Sequence, residues 1–171
     1  ASVTFGSGNW STSQVITLTG QPDSSADGDQ TVSITASVND PATADTVYQG
    51  LADQNFNVTV TNIDSAGYTV AETGGSTSVS EALTKDTFTV VLGTQPTGNV
   101  VFDVSSSDTG EASVSSSTLT FTTGDWSSAQ TITITGVNDN IDDGDQFSTI
   151  TVSVNGSTVD ATYTATIRQS M

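Results

Sequence analysis

Hydrophobic and polar residues alternate in several short segments of this chain. Residues 56–60, 88–92 and 131–135 carry apolar side chains at every second position, with mostly Thr or Asn between them. This period of two is typical of strands that bury one face of an antiparallel sheet. No long segment has the i, i+3, i+4, i+7 apolar spacing that an amphipathic helix requires. The pattern therefore predicts an all-β fold.

The sequence contains an internal repeat at an offset of 116 positions. Residues 3–10 align with residues 119–126, and residues 14–35 align with residues 130–151. Roughly half of the aligned positions are identical, as in tandem structural repeats. Both copies contain the pattern Asp-x3-Asp-Gly-Asp between two predicted strands.

The repeat divides the chain into two unequal parts. Only the second copy is preceded by further strand-like segments, at residues 88–92 and 100–104, so residues 65–171 are predicted to form a complete antiparallel Ig-like β-sandwich. Residues 1–64 are predicted to form the C-terminal half of a preceding sandwich. Each copy ends in a predicted closing strand, at residues 56–60 and 163–167. A half sandwich exposes strand edges and an apolar face. Its missing strands come either from a longer tandem array or from another polypeptide.

Histidine and cysteine are both absent from the chain. Their absence removes the Ser-His and Cys-His catalytic arrangements and the nitrogen and sulfur ligands of the usual zinc sites. A carboxylate-only glycosidase or a metal-dependent hydrolase is still compatible with the composition. We nevertheless predict that the chain is not an enzyme.

Acidic residues dominate the charge of the chain. The sequence has 19 Asp and Glu but only 2 Lys and Arg, for a formal net charge of −17. A polyanion repels phosphate and has no basic patch with which to release counterions, so nucleic acid and anionic membranes are not expected as partners. No apolar run reaches the ~18 to 20 residues of a membrane span. The lysine-poor composition, rich in Thr and Ser, predicts an extracellular or cell-surface protein.

The repeated acidic pattern concentrates carboxylates in loops between strands. In the second copy the four acids of residues 139–145 repel one another unless a cation lies between them. Calcium suits such a loop because it binds several oxygen ligands at flexible geometry. Gly144 supplies the sharp turn that lets its neighbours face one centre. The alternative is that Asp-Gly is ordinary turn chemistry and that the acids are solvated. The equivalent candidates in the first copy are Asp23, Asp27 and Asp29.

Several segments of residues 65–171 resemble the Calx-beta domain, a calcium-binding sandwich of sodium/calcium exchangers and large bacterial surface proteins. They are the strand-opening Glu81, the carboxylate-bearing loop 107–111, the strand and acid at 119–125, and the strand 134–139 with the acid-Gly-acid triplet 143–145. The resemblance covers residues 65–171 and, for the latter half of the domain, residues 1–64.

The resemblance implies calcium ligands at one end of the sandwich. Asn140 and Gln146 stand where the family pattern has acids, which implies fewer bound ions. The first copy lacks counterparts of the ligands that precede residue 117. The implied ligands are Glu81, Asp108, Glu111 and Asp139, with Asp143 and Asp145 as lesser candidates.

These observations predict a calcium-binding structural or adhesive module of an extracellular bacterial surface protein. Calcium would fix the loops and the junctions with neighbouring repeats. One alternative is a self-assembling filament subunit whose half domain is completed by an identical subunit. A weaker alternative is a carbohydrate-binding module that uses Trp10 or Trp126 as a platform, although a structural role for these side chains is favoured.

Overall fold

The structure is a computed structural model that describes residues 1–142, 144–164 and 168–170. Its regular secondary structure consists mainly of antiparallel strands, which confirms the all-β prediction. No helix within these ranges has the length and apolar character needed to cross a membrane. The strands are β1 Gln30–Ala36, β2 Gln54–Val60, β3 Tyr68–Glu72, β4 Lys85–Leu92, β5 Val100–Ser106, β6 Ala112–Val114, β7 Thr118–Phe121, β8 Gln130–Gly136, β9 Ile150–Val154 and β10 Arg168–Ser170. The helical segments are α1 Ala161–Thr164 and two short 3₁₀ turns, Asp40–Ala42 and Thr73–Gly75.

Strands β3 to β10 form two four-stranded sheets that pack face to face. One sheet has the order β3-β4-β8-β6 and the other the order β10-β9-β5-β7. Alternate side chains of the inner strands point into one shared hydrophobic core. This arrangement is the sandwich that the period-2 pattern predicts.

Phe102 of β5 lies in the middle of this core and has no exposed surface. Its ring packs edge-on against Tyr68, with ring centroids 4.7 Å apart, and against Phe121, with ring centroids 6.0 Å apart. Such pairs add about 0.5 to 1.5 kcal/mol each to the stabilisation from buried area. The Tyr68 hydroxyl donates a hydrogen bond to the Val152 carbonyl oxygen at 3.1 Å, which joins the two sheets.

The C-terminal strand differs from the prediction. Residues 161–164 form the short helix α1 instead of the start of a strand, and residues 165–167 lie outside the described residues. The Tyr163 side chain is buried and its hydroxyl donates to the Thr94 carbonyl oxygen at 2.8 Å, which fixes this turn against the sandwich. The prediction of a strand from residue 163 is therefore wrong. The last described strand, β10, begins at residue 168 and pairs with β9.

The first copy of the repeat forms only the two-stranded sheet β1–β2. All of residues 1–64 are described, and residues 2–5 and 14–20, which align with β7 and β8, lie in no strand. Phe5 is consequently 55% exposed, whereas the aligned Phe121 is 0% exposed. Residues 1–64 therefore expose apolar side chains that the second copy buries.

This contrast predicts different stabilities for two aligned substitutions. Phe121→Ala should lower the free energy of unfolding by about 3–5 kcal/mol, because it leaves a cavity in the core. Phe5→Ala should change it by less than about 0.5 kcal/mol, because this ring is largely in solvent. Urea denaturation measures both variants, and equal losses would contradict the assignment of one buried and one exposed copy.

Candidate functional site

A groove opens at the end of the sandwich, between the segment that precedes β4 and the loop that joins β8 to β9. Its volume is about 920 Å³. The buried side chains of Ile134 and Ile150 contribute to its lining. Its carboxylates come from segments distant in sequence, namely Glu81, Glu111, Asp142 and Asp145.

Gly136 explains how these segments come together. A Cβ atom at this position would lie 2.1 Å from the Ser80 carbonyl oxygen, so only glycine lets the end of β8 approach this backbone. The Gly136 amide donates to the Thr84 carbonyl oxygen at 3.1 Å, and the Val137 amide donates to the Glu111 carbonyl oxygen at 2.8 Å. These contacts hold Glu81 and Glu111 beside the acidic loop.

The first Asp of each acidic pattern forms a turn with its own backbone. Asp139 Oδ1 accepts a hydrogen bond from the Ile141 amide at 2.9 Å. In the first copy, Asp23 Oδ1 accepts one from the Ser25 amide at 2.7 Å. One oxygen of each predicted ligand is therefore engaged locally, as is common for Asp in turns.

The glycine of the pattern has a left-handed backbone in both copies, with φ of 77° at Gly28 and 75° at Gly144. The predicted sharp turn is therefore present. The turn in the second copy carries Asp145 to the groove. Asp143, which is also a predicted ligand, lies outside the described residues.

Asp108 organises the turn between β5 and β6. Its Oδ1 accepts a hydrogen bond from the Gly110 amide at 2.9 Å, and its carbonyl oxygen accepts one from the Ser148 hydroxyl at 3.2 Å. The residue is exposed and is not among those that line the groove. Asp139 is also not among the residues that line the groove.

The predicted ligands are thus only partly brought together. Glu81, Glu111 and Asp145 line one groove, whereas Asp108 and Asp139 hold turns beside it. Across residues 1–142, 144–164 and 168–170, no three acidic side chains are close enough to hold one metal ion. The donor atoms have the chemistry that calcium requires, but they are not gathered around a single point.

A smaller cavity of about 250 Å³ lies beside the acidic loop of the first copy. Asp23 and Asp27 line it together with Asp64 of the linker, a residue outside the predicted ligand set. Asp29 is not among the lining residues, and its Oδ1 accepts a hydrogen bond from the Asn62 amide at 2.8 Å. Asp29 therefore ties the loop to the linker.

The same loop contacts the C-terminal sandwich. The Gln95 amide donates a hydrogen bond to the Ser24 carbonyl oxygen at 2.7 Å, and Ser25 forms a parallel bridge with Gln95. Ala26, next in the chain, is buried. The acidic loop of the first copy is consequently part of the junction with the second.

Asp160 has a structural role that the sequence analysis missed. Its side chain is only 2% exposed and accepts hydrogen bonds from the Thr97 amide at 2.6 Å and the Thr162 amide at 2.8 Å. Burial raises the pKa of this carboxyl, but the hydrogen bonds from Thr162 and Thr97 outweigh burial and hold the pKa below its usual value. The sequence signal is Asp160 itself, since Asp directly before the first residue of a helix is a preferred N-cap.

Asp125 has a comparable role after β7. Its Oδ1 accepts hydrogen bonds from the Thr122 amide at 2.5 Å and the Thr122 hydroxyl at 2.9 Å, which lower the pKa of the carboxyl. The aligned Asn9 accepts one from the Gly6 amide at 2.6 Å. This turn is therefore shared by both copies, even where the flanking strand is not.

Comparison with protein-family models finds none that matches this chain, and comparison with curated proteins finds no significant match. The likeness to the Calx-beta domain accordingly depends on the sequence segments described above.

Asp160 leads to a prediction about pH. Because its pKa is lowered in the folded state, its stabilisation is fully present above the unfolded pKa of about 3.9 and is lost as the pH falls through the folded pKa. Asp160→Asn should lower the free energy of unfolding at neutral pH by about 1–3 kcal/mol, because an amide donor would face backbone donors. It should also flatten the acid limb of the stability profile.

Urea denaturation from neutral to acidic pH measures both effects. Asp53→Asn, an exposed loop substitution, provides a control of equal charge change. The same dependence of the free energy of unfolding on pH in both variants would contradict this role of Asp160.

Proposed function

We propose that this chain is a calcium-binding structural module of an extracellular surface protein. In this proposal, calcium neutralises the repeated acidic loops and fixes the junction between neighbouring repeats. One observation carries the proposal: each copy of the acidic loop borders a cavity lined by carboxylates from separate segments of the chain. A tight turn requires only the glycine of the loop. It does not require acidic side chains from other segments of the chain.

The chemistry of the lining favours calcium over other metals. The chain has neither His nor Cys, so every charged ligand it offers is an oxygen. Calcium tolerates flexible geometry and carbonyl ligands, whereas magnesium demands a near-ideal octahedron. In this proposal, the long side chains of Glu81 and Glu111 turn toward Asp145, and the three carboxylates surround one ion.

Electrostatics supplies the driving force. A net charge of −17 destabilises the compact state through self-repulsion, most strongly where acids line a common groove. Extracellular calcium modules bind with dissociation constants of about 10⁻⁴ to 10⁻³ M. At ~10 mM calcium and a dissociation constant of ~10⁻⁴ M, one site stabilises the fold by about 2.7 kcal/mol.

Calcium at the first-copy cavity would have a different effect. The cavity is lined by Asp27 of the loop and Asp64 of the linker, and the same loop bonds to Gln95 of the sandwich. An ion there would join the loop to the linker, and the hydrogen bond of the loop to Gln95 would connect both to the sandwich. This supports a role for calcium in domain-to-domain geometry.

A second candidate function is a filament subunit whose first half-repeat is completed by a neighbouring subunit. The observation that favours it is the exposure of apolar side chains in residues 1–64, such as Val15 at 86% and Phe56 at 51%. Light scattering tests this candidate, since growth into long polymers supports it and a stable monomer contradicts it. Carbohydrate binding has weaker support, because Trp126 packs against the core and leaves only Trp10 as an exposed platform.

Thermal unfolding tests the proposed calcium binding. Calcium at ~10 mM should raise the melting temperature by about 10 °C relative to a chelator, the shift expected for ~2.7 kcal/mol in a domain of this size. Glu81→Gln should reduce the shift because it removes a groove carboxylate. Asp53→Asn is the matched control and should retain the shift. Equal melting temperatures in calcium and in chelator would contradict the proposal.

A further inference from the structure

Segments of similar sequence have different conformations in the two copies of the repeat. Residues 118–121 and 130–136 form β7 and β8, whereas the aligned residues 2–5 and 14–20 lie in no strand. Residues 14–20 share Gln, Ile, Thr and Gly with β8 at aligned positions. Intrinsic strand propensity therefore cannot explain the difference, and the surroundings of each segment must.

Strand partners account for the difference. β7 pairs only with β5, and β8 pairs with β4 and β6. Among residues 1–64, no strand occupies the equivalents of these three partners. By contrast, both members of the β1–β2 pair lie within residues 1–64. The first copy thus forms the strand pair for which it has both members.

One edge of β1 is consequently unpaired. In the second copy, β9 pairs with β10 on one side and with β5 on the other, with Val104 opposite Val152 and Ser106 opposite Ile150. Strand β1, whose residues 34–36 align with residues 150–152 of β9, pairs only with β2 among the described strands. An unpaired edge with free backbone donors and acceptors is a template for an added strand.

A polar contact in the second copy specifies the register of such a strand. Asn155 Nδ2 donates a hydrogen bond to Asp103 Oδ1 of β5 at 2.7 Å, and the Asn155 amide donates to the Val101 carbonyl oxygen at 2.7 Å. The aligned residue in the first copy is Asn39, which follows β1 and is exposed. The first copy therefore retains the residue that receives β5 in the second.

Residues 14–20, which align with β8, also expose apolar side chains. Ile16 and Leu18 are each 47% exposed, whereas the aligned Ile132 and Ile134 are 0% and 1% exposed beneath their partner strands. Burying these side chains would supply the hydrophobic driving force for docking.

We propose that the unpaired edge of β1 is a docking site for a polypeptide segment with the strand pattern of residues 65–116, the first half of a repeat of this type. Its β5-like strand pairs with β1 and places its Asp beside Asn39, and residues 2–5 and 14–20 become strands on docking. In an identical subunit, residues 65–116 already pair with β7, β8 and β9 of the same sandwich, so the partner is a further repeat of this type. This inference therefore goes beyond both candidate functions. It does not require calcium.

The test joins a second copy of residues 65–116 to the N-terminus of the full chain, which preserves the 116-residue offset of the repeat. Amide hydrogen exchange is then measured peptide by peptide, with the unaltered chain as reference. Exchange in residues 14–20 should slow by at least about tenfold, as expected when a segment joins a cooperative unit. Exchange in β8 should be unchanged, which shows that the original sandwich is intact.

A matched control joins the same segment carrying F102D and V104D in the added copy only. These changes place charges on the core-facing side of the β5-like strand, so protection of residues 14–20 should be lost. The inference is overturned if the unaltered added segment gives no slowing, or if both added segments slow exchange equally. All samples contain the same calcium concentration, so this result is independent of the comparison between calcium and chelator.

Discussion

The pairing of strand backbones is the constraint on which the rest of this structure depends. A strand is stable only where its backbone amides and carbonyls form hydrogen bonds with a neighbouring strand and its apolar face is buried. In the second copy of the repeat, β5 supplies both, because it pairs with β7 and β9 and carries Phe102 into the core. Residues 1–64 contain no strand in the position of β5, and their segments that align with β7 and β8 stay exposed.

The sandwich fold determines where the acidic side chains lie. The close approach of Gly136 to Ser80 sets Glu81 next to the loop that follows β8, and the hydrogen bond to the Glu111 carbonyl oxygen adds a third segment. Carboxylates thus share one groove because of backbone contacts. A divalent cation bound among them would connect the fold to the proposed function.

Much of the fold could be predicted from the sequence, because the alternation in residues 88–92 and 131–135 reports which faces are buried. The same alternation in residues 14–20 does not suffice to predict a strand, because the pattern does not show whether a partner strand exists. The strand predicted from residue 163 is wrong because Asp160 caps a helical turn there. Of the candidate ligands, Glu81, Glu111 and Asp145 reach the groove. Asp108 and Asp139 instead accept hydrogen bonds from nearby backbone amides. Residue type and spacing alone do not determine whether an acid lines the groove or holds a turn.

Isothermal titration of the full chain with calcium tests the central claim most directly, because it measures binding without reference to unfolding. The account predicts saturable binding with a dissociation constant of about 10⁻⁴ to 10⁻³ M, weakened by Glu81→Gln and unaffected by Asp53→Asn. An absence of binding heat at millimolar calcium, together with an absence of calcium retained in equilibrium dialysis, would contradict it. The groove carboxylates would then be solvated acids at the end of an all-β sandwich.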